Sequence, residues 1–159
     1  MKTNRSVQLD FLEINLSRAV SEGSLLDEVS RLLQVDRATF WNWNWPEESP
    51  EQLLVNVSYV VDDEPTYPLL LSLNFNRPLA VSLGFEVELG YALARHFDCT
   101  VLVSDPSDSA DGLLQIQPTG DVAACVLGED SQGHPSYQFV AGLSGPYNQV
   151  INQLRELAL

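Results

Sequence analysis

The apolar positions at the start of the chain follow the spacing of a helix. In VQLDFLEINLSRAVSEG (7–23), Leu9, Leu12 and Leu16 recur on one helical face, and Gly23 closes the run. This pattern predicts a first helix. The opening residues of the run also alternate between apolar and polar, so the point at which the helix begins stays open.

A second helix and three strands are predicted next. The cap residue Ser24 and the apolar stripe behind it indicate a helix over 24–35. Three runs rich in β-branched, aromatic or apolar residues follow, and each ends in turn residues: ATFWNWNW (38–45), LLVNVSYVV (53–61) and YPLLLSLNF (67–75). Their short connections are typical of antiparallel strands.

The second half of the chain alternates between helical and strand patterns again. A middle helix is predicted within SLGFEVELGYALARHF (82–97), where Gly90 costs roughly 1 kcal/mol against alanine but allows a close approach to a sheet. The strand CTVLVSD (99–105) follows, and LLQIQ and VAACVL then form a hairpin around the turn at 118–120.

The predicted elements together indicate an α+β fold. SYQFVAG (136–142) adds a further strand, and Pro146 opens a final helix. The order is helix, helix, three strands, helix, three or four strands, helix, the count in the second half depending on SYQFVAG. We therefore expect a single domain over residues 1–159, with an antiparallel sheet and helices packed mainly on one face.

The excess of negative charge limits the classes of molecule that the chain can bind. The net charge is −14, and between residues 47 and 130 there are 15 acids but only two bases, Arg77 and Arg95. Such a field repels nucleic acid and anionic membranes, and it attracts a basic protein. We expect a protein partner, with the chain itself as a monomer or a homodimer.

The sequence carries no recognisable catalytic motif, and we expect neither an enzyme nor a cofactor. An enzyme of unrecognised type is the less favoured alternative, and its best site would be the carboxylates with His134. His96 is predicted to be structural, and the spacing around His134 does not match a known metal site. Cys99 and Cys125 lie in apolar runs and are expected to be buried thiols. No apolar stretch follows the first residues as in a secretory signal, so the cytoplasm is the expected location.

The stretch WNWNWPEE (41–48) is the most distinctive in the sequence. On a strand, Trp41, Trp43 and Trp45 would share one face. Two interpretations stay open: the indoles face the core, or they form an exposed partner-binding stripe beside acids. For the second, the candidate contact residues are Trp43, Trp45, Glu47, Glu48, Asp62, Asp63, Glu64, Asp105, Asp108 and Asp111.

Part of the second half resembles a module of bacterial immunity proteins of polymorphic-toxin and contact-dependent systems. The stretch is ELGYALARHFDCTVLVSDPSDSADGLLQIQPTGDVAACVLGED (88–130), a helix, a short strand ending in acids and a strand–turn–strand. The resemblance implies a non-catalytic protein that binds and neutralises one cognate toxin. No site residue carries over from that group.

A second resemblance is to class I chaperones of type III secretion, which are acidic and of similar size. LLDEVSRLL is similar to their first helix, LLVNVSYVV and YPLLLSLNF to two strands, and YNQVINQLREL to the last helix. Residues 1–22 and the strand CTVLVSD depart from that pattern. This resemblance implies a homodimer that binds a segment of a secreted effector.

Overall fold

The described residues of the computed structural model form helices and strands in an α+β arrangement, which confirms the predicted class. The structure describes residues 6–63, 66–105, 112–129, 131–133, 135–139 and 145–157. Contacts between Cα atoms divide the chain into two compact units. The first unit is Ser6–Val81, and the second contains the described residues from Ser82 onward.

The first unit is built mainly from strands. Its elements are β1 (Ser6–Leu16), α1 (Glu22–Leu33), a 3-10 turn (Arg37–Thr39), β2 (Phe40–Trp41), β3 (Val55–Val61) and β4 (Leu69–Ser82). The strand order is β2-β3-β4-β1. β3 and β4 are antiparallel as expected, but β2 runs parallel to β3, with Phe40 opposite Val55.

The predicted first helix is wrong, because residues 6–16 form the strand β1. Leu12, Ile14 and Leu16 are all buried at a spacing of two, and Ile14 is the residue that the helical stripe leaves out. Asp10 and Phe11 are both exposed, which shifts the alternation by one residue between Leu9 and Leu12. That shift produced the apparent helical spacing.

The remaining boundaries of the first unit differ from the prediction in detail. α1 begins earlier than expected, since Ser21 is its N-cap and its side chain accepts a hydrogen bond from the Ser24 N–H. The helix ends at Gln34, whose backbone is left-handed. β4 does not end before Arg77 but continues through Pro78 to Ser82.

The second unit contains two helices and a set of antiparallel strands. Its elements are α2 (Phe85–Phe97), β5 (Val101–Ser104), β6 (Gly112–Ile116), β7 (Asp121–Glu129), β8 (Pro135–Phe139), β9 (Gly145–Pro146) and α3 (Tyr147–Leu157). β5, β6, β7 and β8 lie side by side in that order, and β9 pairs with β7. Residues 140–142 of the predicted strand SYQFVAG lie outside the described residues.

Gly90 sits where α2 approaches the strands of the second unit, as its position in the sequence predicted. A Cβ atom at residue 90 would lie 2.6 Å from Ile116 Cδ1 and 3.0 Å from Val103 Cγ1. The absence of a side chain therefore lets the helix pack closely on β5 and β6. Cys99 and Cys125 are both buried, as expected, and no disulfide joins them.

No helix among the described residues is both long and apolar enough to cross a membrane.

Candidate binding cleft beside Trp41 and Trp45

The tryptophan stretch forms a tight turn and not the strand predicted for residues 38–45. β2 ends at Trp41, and the Asn42 side chain then accepts a hydrogen bond from the Asn44 N–H at 2.9 Å. The Asn42 carbonyl accepts a second one from the Trp45 N–H at 2.8 Å. An asparagine that bonds its own neighbours in this way favours a turn over a sheet ladder.

Because the segment is a turn, the three indoles do not share one face. Trp43 projects into solvent, with 78% of its surface exposed, whereas Trp41 and Trp45 are half-buried. The Trp41 Nε1–H donates a hydrogen bond of 3.0 Å to the Glu47 carbonyl, which fixes the ring. Neither earlier interpretation holds for the whole stretch, since the tryptophans neither all enter the core nor form one exposed stripe.

Arg37 lies against the aromatic side chains of this region. Its guanidinium carbon is 5.4 Å from the centre of the Trp45 ring and 5.8 Å from that of Phe40, within the range of a cation–π contact. Asp36 caps the preceding 3-10 turn by accepting a hydrogen bond of 3.0 Å from the Ala38 N–H. This local cap holds the backbone from which Arg37 extends.

The charge of Arg37 is balanced by Asp27 of α1, whose Oδ1 lies 3.4 Å from the arginine Nε. The Nε atom is buried, and it has no hydrogen bond among the described residues. The two groups therefore form an ion pair without the alignment of a hydrogen bond. Asp27 is largely exposed, so solvent screens the attraction between them.

These residues surround an open cleft of about 530 Å³ in the first unit. Its size is within the range of sites that bind small ligands or side chains, about 300–1,000 Å³. The lining combines aromatic and proline surfaces with three carboxylates and one guanidinium: Glu22, Arg37, Ala38, Phe40, Trp41, Trp45, Pro46, Glu47, Glu48 and Pro50.

Glu22 brings a carboxylate into the lining from the first residue of α1. The negative charge of Glu22 also affects Tyr59 on β3. The pKa of the Tyr59 phenol is raised mainly by burial and secondly by this charge. The Tyr59 hydroxyl donates a hydrogen bond to the Val20 carbonyl, just before α1. This bond connects β3 to the segment that carries Glu22.

The candidate acids of the next turn lie apart from the cleft. Asp62 and Asp63 are exposed, as expected, at the start of the connection between β3 and β4. Asn56 lies opposite Trp41, and from Asn56 to Asp62 the chain follows β3 for about 20 Å at roughly 3.3 Å per residue. Glu64 lies outside the described residues. The structure therefore does not bring these acids together with the tryptophans.

The third group of candidate acids belongs to the second unit. Asp105 is only 8% exposed, and its backbone N–H donates to the Gly112 carbonyl at 2.9 Å. Asp105 therefore does not lie on an exposed surface, unlike Asp62 and Asp63. Asp108 and Asp111 lie outside the described residues.

Glu86 is a half-buried carboxyl in the first turn of α2. Burial raises its pKa to about 7, and a hydrogen bond with the backbone of Ser104 acts in the opposite direction. The preceding N-cap residue is Gly84, which offers no side chain to the helix terminus. Glu86 therefore makes the second unit sensitive to protonation near neutral pH.

An aromatic pair joins α3 to α2 in the same unit. The rings of Tyr91 and Tyr147 stack with centroids 4.2 Å apart, and the Arg95 guanidinium lies 5.6 Å from the centre of the Tyr91 ring. Gly120 lies against both tyrosines. Since each group packs on another within the unit, this cluster has a structural role.

The part of the chain that the structure describes contains no group of three His, Cys, Asp or Glu side chains able to hold a metal ion. His96 packs edge-on against Phe97, with ring centroids 4.7 Å apart. His134 lies outside the described residues.

Sequence reasoning missed Glu22 and Arg37 as parts of the cleft. The sequence pattern placed Glu22 at the end of a helix that the structure does not contain. Arg37 is ten or more residues away in sequence from Glu22, Glu47 and Glu48, the acids that line the cleft with it. The capping residue Asp36 just before Arg37 was the available signal for an ordered turn at this position.

No protein-family model, curated protein or solved structure matches this chain.

Proposed function

We propose that this protein binds a basic protein partner through the surface formed by Trp43 and the adjoining cleft, and that it acts as an immunity protein against a cognate bacterial toxin. The observation that carries the proposal is the exposure of Trp43 on a hydrogen-bonded turn beside an acidic, aromatic cleft. The proposed role is non-catalytic and is assigned to the cytoplasm.

The position of Trp43 supports a protein partner. One scattered exposed apolar side chain needs no explanation. Trp43, however, adjoins Trp41 and Trp45, both of which line the cleft. Tryptophan is enriched among the few residues that dominate binding energy in protein interfaces. The Asn42 hydrogen bonds already order the turn, so binding loses less conformational entropy there.

Charge supports a basic partner. The chain carries a net charge of −14, and Glu47 and Glu48 follow the tryptophans after a single residue, Pro46. A negative surface speeds the encounter with a positive one and disfavours acidic competitors. A nuclease toxin fits this description, because its cleft for nucleic acid is basic and an acidic protein would occlude it.

The proposal is tested with the product of a neighbouring gene, by co-purification and by growth of cells that express that product with and without this protein. We expect growth arrest without it and rescue with it. Trp43→Ala should weaken binding by about tenfold or more, as expected for an aromatic anchor.

Phe11→Ala is the matched control, because Phe11 is another exposed aromatic residue of the first unit, 44% exposed, that does not line the cleft. It should change binding by less than about twofold. A product that is neither toxic nor bound would refute the immunity role. A stable homodimer that binds an effector segment would instead favour the secretion chaperone.

A further inference from the structure

The carboxylates of the cleft carry uncompensated negative charge. Among the described residues, Glu22, Glu47 and Glu48 form no ion pair. The one cation of the lining, Arg37, is already balanced by Asp27, which does not itself line the cleft. A ligand that enters therefore meets three carboxylates against one guanidinium, and the excess of negative charge favours a cation.

The aromatic wall of the cleft already binds a guanidinium. Arg37 lies 5.4 Å from the centre of the Trp45 ring, so the environment of this indole suits a planar cation. Trp41, on the same lining, has its ring held by the hydrogen bond from its Nε1–H to the Glu47 carbonyl. Its π-face is therefore ordered before any ligand arrives.

From this combination we infer that the cleft accepts an arginine side chain of the basic partner, which stacks on Trp41 or Trp45 and pairs with Glu47 and Glu48. The inference rests on the proposed function, whose site it deepens. Trp43, outside the lining, anchors the partner, and the cleft beside it selects an arginine.

Arginine fits this lining better than lysine does. A guanidinium is planar, stacks on aromatic faces and can bond a carboxylate through two parallel N–H groups. An ammonium is more strongly hydrated and lacks that planar contact. Because the lining offers both indoles and carboxylates, arginine gains from two kinds of contact at once. An anionic group would meet the repulsion of three acids.

The test uses three acetylated and amidated pentapeptides that differ only in the central residue, Gly-Gly-Xaa-Gly-Gly with arginine, lysine or aspartate. Each is titrated into the ¹⁵N-labelled full chain, and the indole N–H resonances of the tryptophans are followed by NMR. We expect saturable shifts at Trp41 and Trp45 with the arginine peptide, and smaller ones at Trp43. The lysine peptide should bind about threefold more weakly, and the aspartate peptide should cause no shift.

Glu48→Gln should weaken binding of the arginine peptide by about two- to threefold and reduce its dependence on salt. Glu51→Gln is the matched control, because it makes the same change of charge nearby at a residue outside the lining. Both side chains are exposed, so neither substitution threatens folding. An equal effect of the two variants would overturn the inference by showing attraction to overall charge alone.

Equal or tighter binding of the lysine peptide, or the absence of shifts at Trp41 and Trp45, would also overturn the inference. These outcomes are distinct from failure of the proposed function. A toxin whose binding depends on Trp43, combined with peptides that leave Trp41 and Trp45 unchanged, would retain the immunity proposal and remove the arginine site.

Discussion

Glu86 connects the stability of the second unit to pH, and the substitution Glu86→Gln isolates that connection. Burial raises the folded-state pKa of this carboxyl from 4.5 to about 7. Below pH 4.5 the carboxyl is protonated in both states, and its contribution is fully present. As the pH rises from 4.5 towards 7, the unfolded chain releases the proton while the folded chain retains it, so the free energy of unfolding falls. Above pH 7 the loss is complete.

The size of the effect follows from the same pKa values. At roughly 1.4 kcal/mol per pH unit, the full loss is at most about 3.5 kcal/mol. About 2 kcal/mol of this loss in the free energy of unfolding occurs between pH 5.5 and 8.5. The whole range lies above the sequence pI of about 4.2, so the protein stays negatively charged throughout. Glutamine resembles the protonated carboxyl and does not ionise. The stability of Glu86→Gln relative to the unchanged protein should therefore increase by about 2 kcal/mol across that range.

Urea unfolding at several pH values measures this difference. Far-UV circular dichroism is the appropriate signal, because all three tryptophans lie in Ser6–Val81 and their fluorescence reports on the first unit. Glu88→Gln is the control, since it removes one negative charge from the same first turn of α2. A stability difference for Glu86→Gln that does not change with pH, or that matches the control, would refute the reasoning.

Two further substitutions test the packing of α2 and the exposure of the tryptophan turn. Gly90→Ala should lower the free energy of unfolding in urea titrations by about 1–2 kcal/mol. The new Cβ would approach Ile116 Cδ1 to 2.6 Å, and this overlap costs more than the gain in helix propensity. An increase in the free energy of unfolding would contradict the close approach. Trp43→Phe should remove most of the fluorescence that acrylamide quenches readily, since Trp43 is 78% exposed, and an unchanged quenching constant would show that Trp43 is not the accessible indole.

Local sequence patterns, such as hydrophobic periodicity and turn residues, predicted much of this fold. The hairpin of β3 and β4, the helix α2 and the close approach at Gly90 all followed from periodicity, turn residues and the lack of a side chain. The strand β1 did not, because a one-residue shift in its alternation imitates the spacing of a helix. The burial of Ile14 together with Leu12 and Leu16, a tertiary fact, favours the strand.

The candidate site was harder to predict than the fold. Alternating Trp and Asn residues have the period of a strand, but the Asn42 side chain bonds the Asn44 backbone and produces a turn. The sequence identified Trp45, Glu47 and Glu48, which lie close together along the chain. Glu22 joins them only through tertiary folding, and periodicity within one segment carries no information about that contact.

The parallel pairing of β2 with β3 also has an evolutionary consequence. An antiparallel neighbour could return through a two-residue turn, but a parallel one requires a connection of about a dozen residues. Residues 42–54 supply it, and a hydrogen bond of 3.0 Å from the Leu54 N–H to the carbonyl of Thr39, just before β2, fixes where this connection ends. The connection carries Trp43, Glu47 and Glu48 outside the sheet ladder. Because the connection lies outside the ladder, we expect substitutions and insertions within it to leave the strand register intact, so this surface can vary in sequence while the scaffold stays constant.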